Sequence, residues 1–253
     1  MSASPTLELT VSPDFSPEHI AGWYVFNTWL QRRLGVRIHL ELYEDFAAQR
    51  RAIAADKVDL IYANPYDAAM LVREKGFTAI AAPAGKPDEV VIAVPADSPA
   101  QSIEDLRPGL RLAVTRDPDV NLIGMILLES ADLNRDNTAT EQVSTYVVLA
   151  RALLQGKADC GFFLKEAFDD LSAPIRRQLR PLMTSQISLV RHVMLVGPRC
   201  EALREPLQAL LLGMADPGSD GRRTLEALGL AGWERQDQED TEFMIDLMDT
   251  LMV

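Results

Sequence analysis

A chain of 253 residues with 47% hydrophobic and 25% charged side chains has the make-up of an ordinary globular protein, and it is long enough for two lobes, since one hydrophobic core seldom exceeds about 250 residues. A formal charge of -12 sets it against polyanions, so no broad surface for nucleic-acid phosphates or anionic lipid is expected. No apolar run reaches the roughly 20 residues that cross a bilayer, and Cys160 and Cys200 stand in no CxxC or Cys/His spacing, which argues against a zinc site or disulfide framework.

The opening MSASPTLELTVSPDF lacks the basic segment and the apolar core of about 7–15 residues that mark a secretory signal. A periplasmic location therefore requires a leader removed upstream; otherwise the chain is cytoplasmic. Residues 7–11 read as a strand, and 17–34 as a helix with Ile20, Tyr24, Trp29 and Leu30 on one face, ended by Gly35, with Ser16 and Glu18 placed to cap it. Strand 36–42, helix 46–54, strand 58–62, a helix opened by Pro65 and strand 77–82 complete a βαβαβαβ lobe.

After the loop 83–89 the run VVIAVPA (90–96) reads as a strand leaving that lobe. In SIEDLRPG (102–109), Ser102 with Asp105 three residues on has the pattern of a capping box. Strand 110–115, helices 121–129 and 146–154, strand 158–163 and helix 165–171 follow, giving a second α/β lobe. The β-branched run 187–196 is expected to be a returning strand, and everything after it helical: 201–214, 222–228 and 241–252, the last with Phe243, Met244, Leu247 and Leu251 on its apolar face. The division that follows is 1–87 for the first part of lobe 1, 88–187 for lobe 2 and 188–253 for the return to lobe 1, with crossings near 84–92 and 186–192 as hinge.

Three segments in order carry a resemblance: DKVDLIYANPYDAAMLV (56–72), SIEDLRPGLRLAVT (102–115) and LARALLQGKADCGF (149–162). Over about residues 7–195 the chain resembles solute-binding proteins of the phosphate, phosphite and phosphonate uptake type. The resemblance implies the α/β, two-lobe type II periplasmic-binding-protein fold with a ligand cleft between the lobes, a small-molecule ligand, an ABC permease as partner if the chain is exported, and a monomer. No cofactor is expected, and no metal, since no two of His19, His39 and His192 have metal-ligand spacing. That family's Ser-Thr-Ser turn, at the start of the second lobe's first helix, falls here on Asp117, Pro118, Asp119, Val120 and Asn121. Its tyrosine falls on Ala68, with Tyr66 nearby; its cleft histidine falls on Tyr146, and its acidic residue matches Glu166.

Candidate ligand contacts lie in loops at the carboxyl ends of strands, where open α/β sheets place ligands. Asp14 and Phe15 follow the first strand and Tyr43 the second, with Glu44 and Asp45; each serves either as a helix cap or as a contact. Asn64 and Tyr66 flank Pro65, a pattern equally suited to an N-cap with proline at the first helical position. Thr115, Arg116, Asp119 and Asn121 run from strand into helix, where Asp119 either caps the helix or opposes a free dianion. Arg116 would then supply the positive charge for an anionic ligand, with Lys165 or Arg191 as substitutes. Tyr146 and Glu166 complete the set, and of Arg191 and His192 one should point to the cleft because strand side chains alternate. With no G-x-S-x-G elbow, P-loop, G-x-G-x-x-G or H-E-x-x-H, binding rather than catalysis is expected, the rivals being a leaderless enzyme or a cytoplasmic sensor on the same fold.

Overall fold

The computed structural model describes residues 6–15 and 17–252, and these fall into two compact units, the described residues up to 87 with 191–248, and 88–190 with 249–252. In chain order the elements are β1 (Leu7–Val11), α1 (Ile20–Leu34), β2 (Ile38–Glu41), α2 (Phe46–Ala54), β3 (Leu60–Ala63), α3 (Pro65–Lys75), β4 (Thr78–Pro83), β5 (Val90–Pro95), β6 (Leu110–Val114), α4 (Pro118–Leu128), β7 (Thr138–Gln142), α5 (Tyr146–Leu154), β8 (Cys160–Leu164), α6 (Lys165–Asp169), α7 (Ala173–Arg176), β9 (Leu179–Thr184), β10 (Val193–Val196), α8 (Arg204–Leu212), α9 (Arg222–Leu228), β11 (Trp233–Arg235) and α10 (Gln238–Met252).

The first unit is built on a six-stranded sheet in the order β11-β4-β10-β3-β1-β2. β1 pairs in parallel with β2 and β3, whereas β10 enters antiparallel between β3 and β4. The fully buried apolar strands β3 and β10 (burial of every residue) are what a sheet covered on both faces requires. On one face α1 contributes Trp23, Phe26, Trp29 and Leu30 to the core. The helix is therefore rotated from its expected face: Ile20 and Tyr24 are exposed, because the Trp23, Phe26 and Leu30 set buries more apolar area at the same spacing. Gly22 permits the close approach of α9, since a Cβ there would sit 2.1 Å from the carbonyl oxygen of Ala227. Ser16 lies outside the described residues; α1 starts after a 3-10 turn, Pro17–His19, that contains Glu18.

The second unit carries a five-stranded sheet in the order β7-β6-β8-β5-β9. β6 runs parallel to β7 and β8, and β5 antiparallel to β8 and β9. Both edge strands, β7 and β9, are additions to the sequence reading. The capping-box segment holds only a 3-10 turn, Ile103–Asp105, with Asp105 accepting hydrogen bonds from the amides of Ser102 (3.1 Å) and Gln101 (2.8 Å).

Four further expectations are corrected. α4 begins at Pro118 rather than at 121, because proline occupies the first turn and Asp117, not Asp119, is the N-cap: its carboxylate accepts the Val120 amide at 3.3 Å. The run 187–196 is strand only over β10. Its first half is drawn off the ladder by Glu89, whose carboxylate accepts the amides of Ile187 (3.1 Å) and Ser188 (2.8 Å), while Ser188 adopts a left-handed φ of 61°. The tail is not wholly helical, since β11 pairs antiparallel with β4. In α10, Met244 is buried but Phe243 is exposed, so the buried face omits Phe243; the Leu251 side chain lies outside the described residues.

Candidate functional site

In the first unit, β1 and β3 end where the antiparallel β10 begins, so three loops share one edge of the sheet. The Ser12 amide donates to the Tyr62 carbonyl at 2.7 Å, extending the β1 to β3 pairing by one residue and fixing the Ser12 hydroxyl beside Asn64. Asn64 caps α3: its side-chain oxygen accepts the Asp67 amide at 2.8 Å, and its NH2 donates to Ser12 Oγ at 3.2 Å and Asp67 Oδ2 at 3.1 Å. Asp67, also buried, accepts Arg50 Nε at 2.6 Å, and the Arg50 guanidinium lies 5.0 Å above the Tyr66 ring. Tyr66 itself is 38% exposed, its ring held by this cation–π contact.

His192 completes this edge. Nε2 lies 3.1 Å from both carboxylate oxygens of Asp14, with the two side chains 10% and 4% exposed. The imidazole stacks on Tyr62 at 5.1 Å, and Tyr62 is backed by Trp23 at 5.0 Å and Trp233 at 5.9 Å. Such an aromatic floor locks the ring plane with little entropy left to lose. Burial by itself would raise the Asp14 pKa, but the charge of His192, its hydrogen bond and that of Ser12 outweigh burial and hold the carboxyl below its ordinary value. Phe15 is half-buried against the core of this unit. His192 lies before β10, and Arg191 pairs with Glu234 of β11.

Tyr43 is placed elsewhere. It lines a groove of about 590 Å³ on the α2 side of the sheet with Glu8, His39, Glu41, Lys57 and Arg199, and burial with the charges of Glu41 and Glu8 raises its phenol pKa. The structure therefore does not bring Tyr43 into the group formed by Asp14, Asn64 and His192, while Asp45 caps α2 by accepting the Ala48 amide at 2.7 Å.

In the second unit the residues Thr115, Asp117, Asn121 and Tyr146 are brought together where β6 runs into α4. The Tyr146 hydroxyl donates to Asp117 Oδ2 at 2.8 Å, and Asn121 donates its side-chain NH2 to the Thr115 carbonyl at 2.9 Å. Tyr146 also stacks on Phe163 of β8 at 6.0 Å. Asp119 is buried in the first turn of α4, Arg116 is exposed, and Glu166 sits half-buried in the first turn of α6, next to Lys165, which pairs with Asp169 at 2.5 Å. Sequence reasoning did not single out Glu89: it is buried, and besides the two amides it accepts the Ser185 hydroxyl, which in turn accepts the Val90 amide at 2.8 Å. Among the described residues no group of three His, Cys, Asp or Glu side chains has the arrangement of a metal site, and no helix is long and apolar enough to cross a membrane.

Residues 9–241 match the family described as ABC transporter, phosphonate, periplasmic substrate-binding protein. No curated protein is significantly similar in sequence. Among solved structures, PhnD1 from Prochlorococcus marinus in complex with methylphosphonate has a TM-score of 0.82 at 12% identity, over 97% of this chain and 98% of that one. A binding protein component of an ABC phosphonate transporter from Pseudomonas aeruginosa gives 0.77 at 16% identity, over 97% and 87%. The periplasmic aliphatic sulphonate binding protein SsuA from Escherichia coli gives 0.69 at 15% identity, over 98% and 88%. At these identities the likeness to the solved structures is one of fold, the type II periplasmic-binding fold.

Proposed function

The chain belongs to the ABC transporter, phosphonate, periplasmic substrate-binding protein family, and from that premise we propose that it captures one small polar or anionic solute and hands it unchanged to an ABC permease. It works by binding and release, without turnover, as a monomer outside the cytoplasmic membrane. Candidate ligand contacts lie at the carboxyl ends of the parallel strands in each unit: Asp14, Phe15, Asn64 and Tyr66, beside His192, in the first, and Thr115, Arg116, Asp119, Asn121, Tyr146 and Glu166 in the second.

The observation that carries this reading is the buried polar group Ser12, Asp14, Asn64 and His192 at one sheet edge. Burying four polar side chains against an aromatic floor is costly for a purely structural core, and it is the usual composition of a small-molecule site: apolar walls with a few placed donors and acceptors.

The reading is tested by thermal shift and calorimetry on the intact chain against phosphonates, sulfonates, inorganic oxyanions, carboxylates and small amines. A true ligand at 100 times its Kd raises stability by about 2.7 kcal/mol. In His192→Ala its affinity should fall at least tenfold. Binding of that solute with equal affinity in the variant would contradict the placement of the site.

A further inference from the structure

We propose that the groove beside Tyr43 is a second binding site of the first unit, and that it takes a small organic cation bearing a guanidinium group. The proposal stands apart from the transport reading, because the groove shares no residue with the group formed by Asp14, Asn64 and His192.

The two units repeat one stretch of chain, and the repeat shows what the groove lacks. Residues 45–62 recur in structure as 145–162: Asp45 and Thr145 cap α2 and α5 by accepting the amides of Ala48 (2.7 Å) and Val148 (3.2 Å), and each helix is followed by a left-handed residue, Asp56 (φ 52°) and Gly156 (φ 66°). The amides of Lys57 and Lys157 then donate to the carbonyls of Ala52 and Ala152, both at 3.0 Å. Asp59 and Asp159 come next. Each carboxylate accepts an amide of the neighbouring strand, from Glu8 of β1 at 2.9 Å and from Arg111 of β6 at 3.0 Å, so Glu8 and Arg111 are counterparts.

In the second unit this place is filled from within. The Arg111 guanidinium donates through Nε to Asp159 at 3.0 Å and through Nη1 to the Gly156 carbonyl at 2.7 Å. With glutamate at the counterpart position, the first unit has no such fork. Arg199, arriving from the 3-10 segment Pro198–Leu203, reaches Asp59 through Nε at 2.9 Å, and no described residue donates to the Asp56 carbonyl.

A groove of about 590 Å³ stands there instead, a volume in the range of small-molecule sites. Its walls carry Glu8, Glu41, Asp56 and Asp59 against Lys57 and Arg199. His39 pairs with Glu41 and Lys75 with Asp56, which leaves the Glu8 carboxylate with no hydrogen bond or ion pair among the described residues. Burial, with the charges of Glu41 and Glu8, raises the Tyr43 phenol pKa at the same place. A guanidinium suits this setting: it is planar and permanently charged, and it has donors enough for a carboxylate and a carbonyl at once, as Arg111 does in the second unit.

The test titrates the intact chain calorimetrically, in low salt, with methylguanidinium, with agmatine and with tetramethylammonium, a cation without N–H groups. Saturable binding of either guanidinium compound is expected with a Kd below about 1 mM, and tetramethylammonium should bind at least tenfold more weakly. Glu8→Gln, which keeps the size of the side chain and removes its charge, should weaken agmatine at least tenfold. Glu8→Arg supplies the fork from within, as in the second unit, and should abolish binding while the melting temperature stays level or rises. Loss of binding without loss of stability cannot come from unfolding. Absence of saturable binding of both guanidinium compounds by the wild type would overturn the proposal, as would equal agmatine affinity in the two Glu8 variants or equally tight tetramethylammonium. If agmatine affinity falls in His192→Ala and not in Glu8→Gln, the cation sits at the other group and the proposal fails.

Discussion

Asp14 and His192 are 178 positions apart in the chain, yet the imidazole Nε2 sits 3.1 Å from each oxygen of the carboxylate. The contact closes the first unit: Asp14 follows the first strand laid down, and His192 precedes the strand that returns to the centre of the same sheet. The residue that anchors the returning strand is thus also the residue that presents a ring at the candidate site.

Breaking this buried pair by Asp14→Ala should cost about 3 kcal/mol, since it strands a buried imidazole. The pH dependence follows from the lowered pKa of Asp14. A carboxyl whose folded value lies below its ordinary 3.8 contributes stability that is fully present above that value and is lost as pH falls through the depressed folded one. The gap in stability between wild type and Asp14→Asn should therefore be fully present just above about pH 4 and close as the pH falls below it, in denaturant titrations at each pH. A gap that widens on acidification would contradict the assignment.

Glu89 makes a second measurable claim. Its carboxylate collects the Ser185 hydroxyl and the amides of Ile187 and Ser188, tying the segment that enters the second unit to the one that leaves it. Glu89→Ala should destabilise the chain by about 3 kcal/mol, because hydrogen bonds to a charged acceptor contribute about 1.5–3 kcal/mol each and the freed amides are only partly rehydrated. Hydrogen exchange at Ile187 and Ser188 should accelerate in the variant; unchanged protection there would show that Glu89 is not what holds them.

Both cysteines should be inert in the native state. Burial pushes the Cys160 thiol up to about 12, and burial together with Asp59 pushes Cys200 to about 11, so almost no thiolate exists near pH 7.5 to attack a reagent. Titration with a thiol-reactive dye should give close to no labelling before unfolding and two equivalents after it. Rapid native labelling of either would mean that its strand or loop opens.

What was readable in the sequence follows the strength of local signals. β3, β5 and β8 are short apolar runs with Gly, Pro or Asn near by, β1 alternates apolar and polar residues, and α2, α5 and α9 were read at their observed bounds because a polar cap or a glycine stop marks each. β7 escaped: its sequence, TATEQ, is polar and exposed at a sheet edge, with no alternation to betray it. β9 carries Pro181 at the other edge, where a missing amide is tolerated but the strand signal is weakened. The start of α4 was misread because Asp117 and Asp119 both fit a cap, and only the position of Pro118 relative to the first turn decides between them.

The candidate site was legible as a set of loops but less so as contacts. Asp14, Asn64, Asn121 and Tyr146 follow from strand ends and helix starts. The pairing of Asp14 with His192 and of Tyr146 with Asp117 depends on tertiary closure over long separations, which local periodicity does not encode. Tyr43 illustrates the converse, since a residue just past a strand end is turned by the end of β2 into the groove beside Glu8 and Glu41.

The central claim, that this chain holds a small solute and releases it unchanged, is tested most directly by recovering that solute. The protein is purified without denaturation, its bound small molecules are released by unfolding and identified by mass spectrometry, and each is titrated back onto the stripped chain by calorimetry. The account predicts one solute, binding at one site per chain and recovered with its mass unaltered after prolonged incubation with the protein. Conversion of the solute to a product, or no saturable binding of any recovered or supplied solute, would contradict it.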